Sequence, residues 1–377
     1  MKTFRQNAKY VMGLGVLLCV FSFIQWTGNG VSTGVAAAVA QITDETISSE
    51  ENAVLDKNGP HMRRAMDTQT RHTHTLMEMP DVVGTATGLT ANNSPTILVF
   101  TKQEMKAGAI PEYLEGIPVT IKVTGEIFAL REQSNGAGGN VKPTSKFSMP
   151  VPIGVSTGNA GECSAGTIGA RVKDTSGNVY ALSNNHVYAL ENGAPIGSTI
   201  LQPGLYDTHC IPGQSNVIGK LYHYIPINFT GGKNIVDAAI ASSSMAQLDN
   251  STPSSGYGQP NSRTYTQEPG NPPLIGQSVM KYGRTTRLTT GTVNGVNVTL
   301  NVCYNSSCSL IATFTDQIAI GSNNFSRAGD SGSLIVSNDA NANAYPIGLL
   351  FAGGGGITFA NPIDAVLNSL NVSIDGK

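Results

Sequence analysis

Charge is scarce in this sequence. Only 13% of its 377 residues are Asp, Glu, Lys or Arg, and the formal net charge is −2, which gives no sign of a nucleic-acid partner. No internal repeat is evident, so a solenoid or propeller array is excluded. Tryptophan occurs once, at Trp26. Long apolar runs are limited to Tyr10 to Ile24, which is short for a bilayer span. Cysteine is sparse as well, with five in the whole chain. What is abundant is glycine, 43 residues, in a background rich in Asn, Ser and Thr with 40% hydrophobic residues. That composition favours an all-β, turn-rich secreted protein, and the length suffices for two domains and a substantial core.

Residues 1–40 have the form of an export signal. Lys2, Arg5 and Lys9 supply a positive start, the apolar run follows, and Ala38-Val39-Ala40 offers a cleavage box. An uncleaved signal anchor is the competing reading. Leu18 precedes Cys19 where a lipidated cysteine requires a small residue, so no lipoprotein is expected. Residues 41–132 read as a small α+β module. Glu50 to Lys57 is helix-favouring, Asn58-Gly59-Pro60 interrupts, and Met62, Ala65, Met66, Leu76 and Met77 supply parts of an apolar face. His72 and His74 diverge on a helix, which argues against a metal pair. Strand signals follow at Val82 to Ala86, Thr96 to Thr101 and Val119 to Val123. Between residues 41 and 140 there are 8 basic and 13 acidic side chains. A pro-region, an inhibitor or an accessory domain would each fit. Residues 133–145, with Ser134-Asn135-Gly136-Ala137-Gly138-Gly139-Asn140, read as a linker.

From 146 to 377 short β runs recur between turns. Asp174 to Asn178 is one turn, and Asn294-Gly295 is a two-residue hairpin signal between Thr292-Val293 and Val296 to Leu300. Near the end, Asn361 is placed to cap a helix from Pro362 to about Leu370.

The chemistry centres on Ser326-Arg327-Ala328-Gly329-Asp330-Ser331-Gly332-Ser333, followed at once by apolar Leu334-Ile335-Val336. Small residues on both sides of Ser331 let backbone amides crowd a reacting carbonyl. A serine hydroxyl is inert at neutral pH without a base and an orienting acid. The base expected is His186, at the end of the strand in Leu182-Ser183-Asn184-Asn185-His186. The acid expected is Asp237, flanked by Val236 and Ala238 in a strand that reads as buried. A buried carboxylate needs a partner, which an imidazole N–H supplies.

With the order His, Asp, Ser and the hairpin Gly283-Arg284-Thr285-Thr286 between the last two, the chain resembles the trypsin/chymotrypsin-like serine peptidases. Among these it is most similar to secreted bacterial proteases of the alpha-lytic type. The matching motifs span roughly Cys163 to Leu370; Asn185 and Ser333 depart from the pattern. The resemblance implies a mainly β, chymotrypsin-like double β-barrel with a C-terminal helix. It implies a hydrolase acting on protein or peptide substrates through an acyl-enzyme, with an oxyanion hole from the amides of Gly329 and Ser331. It also implies pocket residues Phe325, Ser326, Ala352, Gly353 and Gly354, none acidic, so cleavage after Lys or Arg is not expected to be preferred. In the bacterial relatives an internal arginine neutralises the acid beside the nucleophile, so an Arg284–Asp330 ion pair is expected. No cofactor or metal is implied, nor stable membrane association after signal removal. A catalytically degenerate binding protein and a serine esterase are the alternatives.

Four cysteines remain after signal removal and allow three pairings. Cys163–Cys210 and Cys303–Cys308 are favoured, the first because it brackets His186. A zinc site using His209 beside Cys210 is the alternative.

Overall fold

The computed structural model describes residues 59–130 and 142–377. The export segment, the Glu50 to Lys57 run and the Ser134 to Asn140 linker lie outside the described residues. Among those described, no helix is long and apolar enough to cross a membrane.

The architecture is mainly β, built on two sheets, with a short helix near the C-terminus. In the first, eight strands run in the order Ser373–Ile374, Ala170–Lys173, Val179–Ser183, Ala239–Ser242, Asn216–Tyr224, Thr199–Gln202, Ser156–Asn159 and Gly166–Thr167. Every pairing in it is antiparallel. Each inward face contributes to a core of Val151, Ile153, Ile168, Ala181, Ile200 and Leu221 with their neighbours. The second sheet closes on itself. Arg287–Cys303 pairs with Ser278–Gly283 and with Ile311–Gly321, and the ring is completed by Ile357–Pro362, Pro346–Gly354 and Leu334–Ser337. Closure removes the free edges that an open sheet would expose.

The N-terminal module adds to this ring. Its helix, Pro60–Met77, begins where Asn58-Gly59-Pro60 was read as an interruption: Gly59 is the N-cap residue and proline takes the first helical position. The strand Val82–Leu89 pairs antiparallel with Arg287–Cys303, Gly84 opposite Leu300 and Thr87 opposite Val296. Pro95–Thr101 and Ile117–Val123 extend the sheet outward. Phe100 of the module meets Phe359 of the barrel edge-on at 5.4 Å, in a core shared with Phe314 and Phe351. Burying each such ring contributes roughly 1.5–3 kcal/mol.

Two local expectations fail. Asn294-Gly295 makes no hairpin: Arg287–Cys303 is one continuous strand with register shifts around Gly295, which sits between Ala319 on one side and Gly88 on the other. A side chain on Gly88 would strike the Asn294 carbonyl at 2.8 Å, so the glycines serve close strand approach and not a turn. The C-terminal helix is Ile363–Leu370, and its N-cap residue is Pro362. Asn361 is instead buried, donating to Gln317 Oε1 at 2.6 Å and accepting from the Asp237 amide at 3.0 Å.

Candidate active site

His186 stands on a single helical turn, Asn185–Tyr188, which follows the strand Val179–Ser183. Asn184 locks that turn to the neighbouring segment by donating to the Asp237 carbonyl at 2.7 Å. Asn185 donates to Ile225 O and Asn192 Oδ1, both at 2.8 Å, and accepts from the Asn192 amide. The Asn185 side chain is therefore held in a buried network. Asp237 precedes the strand Ala239–Ser242 and does not lie within it, which frees its carboxylate to turn toward the helical turn. His186 Nδ1 and Asp237 Oδ2 are 2.6 Å apart, and the His186 backbone amide donates to Asp237 Oδ1 at 3.1 Å. A third donor comes from just past the end of a strand of the other sheet: the Tyr304 hydroxyl reaches Asp237 Oδ2 at 2.8 Å. Nothing in the sequence reading singled out Tyr304. The available signal was an aromatic residue held inside the short Cys303 to Cys308 span.

Ser331 lies in the turn between residues 329 and 333. Gly329 and Gly332 hold φ of 91° and 89° there, in the left-handed region. A side chain at Gly332 would collide with the Thr167 carbonyl and the Ser183 hydroxyl. Thr167 ties the turn to the first sheet: its amide donates to Ser331 O at 2.8 Å and its hydroxyl to Gly329 O at 2.9 Å. His186, Asp237 and Ser331 are all fully buried. The Ser331 hydroxyl donates to Phe351 O at 3.2 Å, and this is its described hydrogen bond. Ser333 Oγ donates to the Asp330 carbonyl at 2.6 Å, so its hydroxyl is satisfied within the turn.

The expected Arg284–Asp330 pair does not form. Asp330 accepts from the amides of Thr285 (2.9 Å), Thr286 (3.2 Å) and Arg327 (3.0 Å) and from the Thr286 hydroxyl (2.7 Å). Among the described residues its nearest cation is Lys281, at 3.6 Å. Lys281 is fully buried, bonds the Thr286 hydroxyl and donates to Arg287 O at 2.9 Å. Burial pushes its ammonium below the ordinary lysine range, and Asp330 pulls in the opposite direction. Arg284 turns instead to Asp207, with Nε to Oδ2 at 3.0 Å and Nη2 to Oδ1 at 2.5 Å, both side chains nearly inaccessible. A planar fork matches a carboxylate in two bonds, which Asp330, already occupied by amides, does not offer.

Both favoured disulfides are present. Cys163–Cys210 excludes the zinc alternative at Cys210. It anchors the 3-10 turn Leu205–Thr208 that carries Asp207, so it serves the Arg284 partner more directly than the base. Among the described residues one grouping has metal-ligating atoms in reach of one another, Glu126 with Cys303 and Cys308, and its sulfurs are joined. His72 and His74 each face a different carboxylate, Glu115 at 3.0 Å and Glu78 at 3.3 Å.

The residues expected to line a pocket stand around a piece of the chain itself. The strand Phe128–Ala129 pairs antiparallel with Pro346–Gly354, Ala129 opposite Ala352 and Phe128 opposite Gly353. The Leu130 amide donates to Phe351 O at 3.1 Å, and Leu130 O accepts from the Gly329 amide at 2.6 Å. The Leu130 side chain packs against the cluster that contains Phe325, Ile335 and Leu350. A side chain on Gly353 would meet Leu130 Cδ1 at 3.1 Å. Ser326 closes the wall through its hydroxyl contact with Thr358. Glu126 and Ile127 run past Gly354, whose substitution would strike Glu126 O at 2.9 Å.

A family described as the Nal1 C-terminal domain matches residues 267–359, which include the Gly283 to Thr286 hairpin and the Ser331 turn. No curated protein matches the chain. Among solved structures, the chain is similar to Thermobifida fusca Protease A, at 18% identity and a TM-score of 0.40, covering 60% of this chain and 100% of that one. It is likewise similar to Nocardiopsis protease, at 21% identity and a TM-score of 0.40, covering 59% and 99%. A third is Cellulomonas bogoriensis chymotrypsin, at 19% identity and a TM-score of 0.38, covering 60% and 99%.

Proposed function

We propose that this chain is the precursor of a secreted serine endopeptidase whose first substrate is its own Leu130–Arg131 bond. The observation that carries the reading is the placement of Leu130. Its amide is bonded to Phe351 O, and its carbonyl oxygen is bonded to the Gly329 amide beside Ser331. An acyl-transfer enzyme must hold a scissile carbonyl in this way, pointed at donors that strengthen as the oxygen gains charge. The His186–Asp237 contact supports the same reading, because an imidazole fixed at Nδ1 presents Nε2 as the base.

In the reaction, Ser331 Oγ leaves Phe351 by rotation about its Cα–Cβ bond and attacks the Leu130 carbonyl carbon. His186 takes its proton, and Asp237 holds the resulting cation. His186 then protonates the departing amine of Arg131, the Leu130 acyl group remains on Ser331, and water repeats the cycle to free the carboxylate. Export of the precursor agrees with the two disulfides, which persist in oxidising compartments. One observation favours a degenerate binding protein: the described hydrogen bond of Ser331 goes to Phe351 O.

Labelling with a fluorophosphonate probe decides between them. Modification of Ser331, together with a processed chain beginning at Arg131, is the expected result; Ser331→Ala should leave the precursor whole. An unlabelled protein that stays intact overturns the peptidase reading.

A further inference from the structure

We infer that Tyr304 is a positioning residue that links an extended substrate to the His186–Asp237 pair, through the short loop closed by Cys303–Cys308. This rests on the peptidase reading above. The loop has two sides. On one, the Tyr304 hydroxyl donates to Asp237 Oδ2 at 2.8 Å, sharing that oxygen with His186 Nδ1. The Tyr304 ring lies edge-on to the His186 ring at 6.0 Å, and is buttressed by Phe229 at 5.2 Å and Phe314 at 6.4 Å. On the other side, the Cys303 amide donates to Ile127 O at 2.8 Å, and Cys303 stands opposite Phe128 in a parallel pairing.

Ile127 lies three residues before Leu130, so its carbonyl is the fourth along the chain counting back from the scissile bond. The bound strand is therefore gripped on both edges, by Ala352–Gly353 on one and by Cys303 on the other. Only the second grip is one residue away from a group that touches the catalytic acid. Asp237 lies two residues before a strand of the first sheet, and Tyr304 lies one residue past the end of a strand of the second. Their bond is thus a tie across the two sheets at the level of the catalytic pair. The disulfide and the bond from the Tyr304 amide to Leu310 O, at 2.8 Å, give the loop few conformations in which to lose that tie.

A chain long enough to present a carbonyl to the Cys303 amide fixes the loop, and through it the carboxylate and the imidazole. Remote contacts of this type are expressed in turnover and not in affinity, because they secure the geometry of the reacting groups. A substrate ending one residue short keeps the Ala352–Gly353 pairing and loses this orientation.

The test uses processed enzyme and two anilides, Phe-Ala-Leu and Ile-Phe-Ala-Leu, each N-alkylated and not acylated at its terminus, so that only the longer one carries a carbonyl in the position of Ile127. The wild-type enzyme should gain about tenfold in kcat from the fourth residue, with KM within twofold, and about 1.4 kcal/mol corresponds to that factor. Tyr304→Phe keeps the ring contacts; it should lose about tenfold in kcat on the longer substrate, and its gain from the fourth residue should fall below twofold. The proton between His186 and Asp237 should also move in the low-field NMR spectrum of this variant. Cys303→Ala/Cys308→Ala provides the same comparison if Tyr304→Phe does not accumulate. Combined with Tyr304→Phe, it should add less than twofold, since both act on one tie. Wild-type kcat in Tyr304→Phe, or a tenfold gain that persists in it, overturns the inference. Turnover by Ser331→Ala would instead overturn the peptidase reading itself, so the two failures are distinguishable.

Discussion

The carbonyl oxygen of Leu130 lies 2.6 Å from the amide nitrogen of Gly329, inside the turn that carries Ser331. A side chain attached to that carbonyl must accept an apolar environment, since Leu130 packs on the cluster that includes Phe325, Ile335 and Leu350. Leu130→Asp would place a carboxylate there without a partner, at a cost of a few kcal/mol. Conversion of precursor to processed chain should slow by on the order of 100-fold, about 2.7 kcal/mol, while Leu130→Met stays within about threefold. A time course of the two bands on a gel reads both. Equal rates for Asp and Leu at this position would show that the pocket does not select the residue before the cut.

Arg284 and Asp207 make a second expectation measurable. Both side chains are almost inaccessible, and Asp207 also accepts from the Ser156 hydroxyl at 2.5 Å. Removing only the guanidinium leaves a buried carboxylate unpaired, which costs about 3–5 kcal/mol. Arg284→Ala should therefore lower the denaturation midpoint sharply. Arg284→Met combined with Asp207→Leu should recover most of the loss, because no charge remains stranded. Since Asp330 is held by three amides and a hydroxyl that do not involve the guanidinium, the folded fraction of Arg284→Ala should still label at Ser331. Denaturant titration and probe labelling of the same samples check both halves.

The residues read from the sequence were legible where the determinant is local. Gly329 to Gly332 dictates a tight turn through its two glycines, and Pro60 after Gly59 dictates a helix start. The strand ending in Ser183-Asn184 delivers His186 to one turn of helix. Partners chosen across the chain were not legible in the same way. Asp207 meets Arg284 across 77 positions, from a turn whose sequence carries no charge pattern pointing there. Asn361 has every property of a helix cap, yet it bonds the Asp237 amide 124 positions earlier, because burial between sheets outweighs a local cap. Asn294-Gly295 failed for a related reason. The pair suits a turn in isolation, but here strands approach from both sides and require a residue without a side chain.

Acid should loosen the module's helix before it affects the two main sheets. Glu115 accepts from Arg71 at 3.0 and 2.5 Å and contacts His72 at 3.0 Å, so the turn at residues 114–117 is tied to the helix Pro60–Met77. The Arg71 hydrogen bonds, opposed by desolvation and aided by His72, bring the Glu115 carboxyl from its ordinary 4.5 down to about 2. A carboxyl with a lowered folded pKa contributes stability that is fully present above 4.5 and is lost as pH falls toward 2. The pair is exposed and screened, so the effect is small and salt-sensitive. Amide exchange in the helix of the Ser331→Ala precursor should quicken between pH 4.5 and 2, and Glu115→Gln should flatten that dependence while leaving exchange in the barrel strands unchanged.

The proposed pocket is expected to select against a cationic side chain. Phe325 and Leu130 belong to one apolar cluster, and the buried Lys281 ammonium lies 5.9 Å from the Phe325 ring centroid. Asp330, the acid nearest to it, has its oxygens committed to amides and a hydroxyl, and no carboxylate was read among the pocket residues Phe325, Ser326, Ala352, Gly353 and Gly354. A lysine or arginine entering this pocket would surrender its hydration, find no carboxylate among these five residues and approach the buried Lys281–Asp330 pair, whose carboxylate is already committed. A leucine brings only apolar surface. Anilide substrates differing at this one residue should therefore favour Leu over Arg by at least tenfold in kcat/KM, about 1.4 kcal/mol, and the discrimination should survive high salt because the opposing cation is shielded from solvent. Introducing an acid at the wall, as in Ser326→Asp, should narrow the ratio by pairing the incoming cation. An enzyme that cleaves after Arg as readily as after Leu would remove Lys281 and the apolar cluster from the account of specificity.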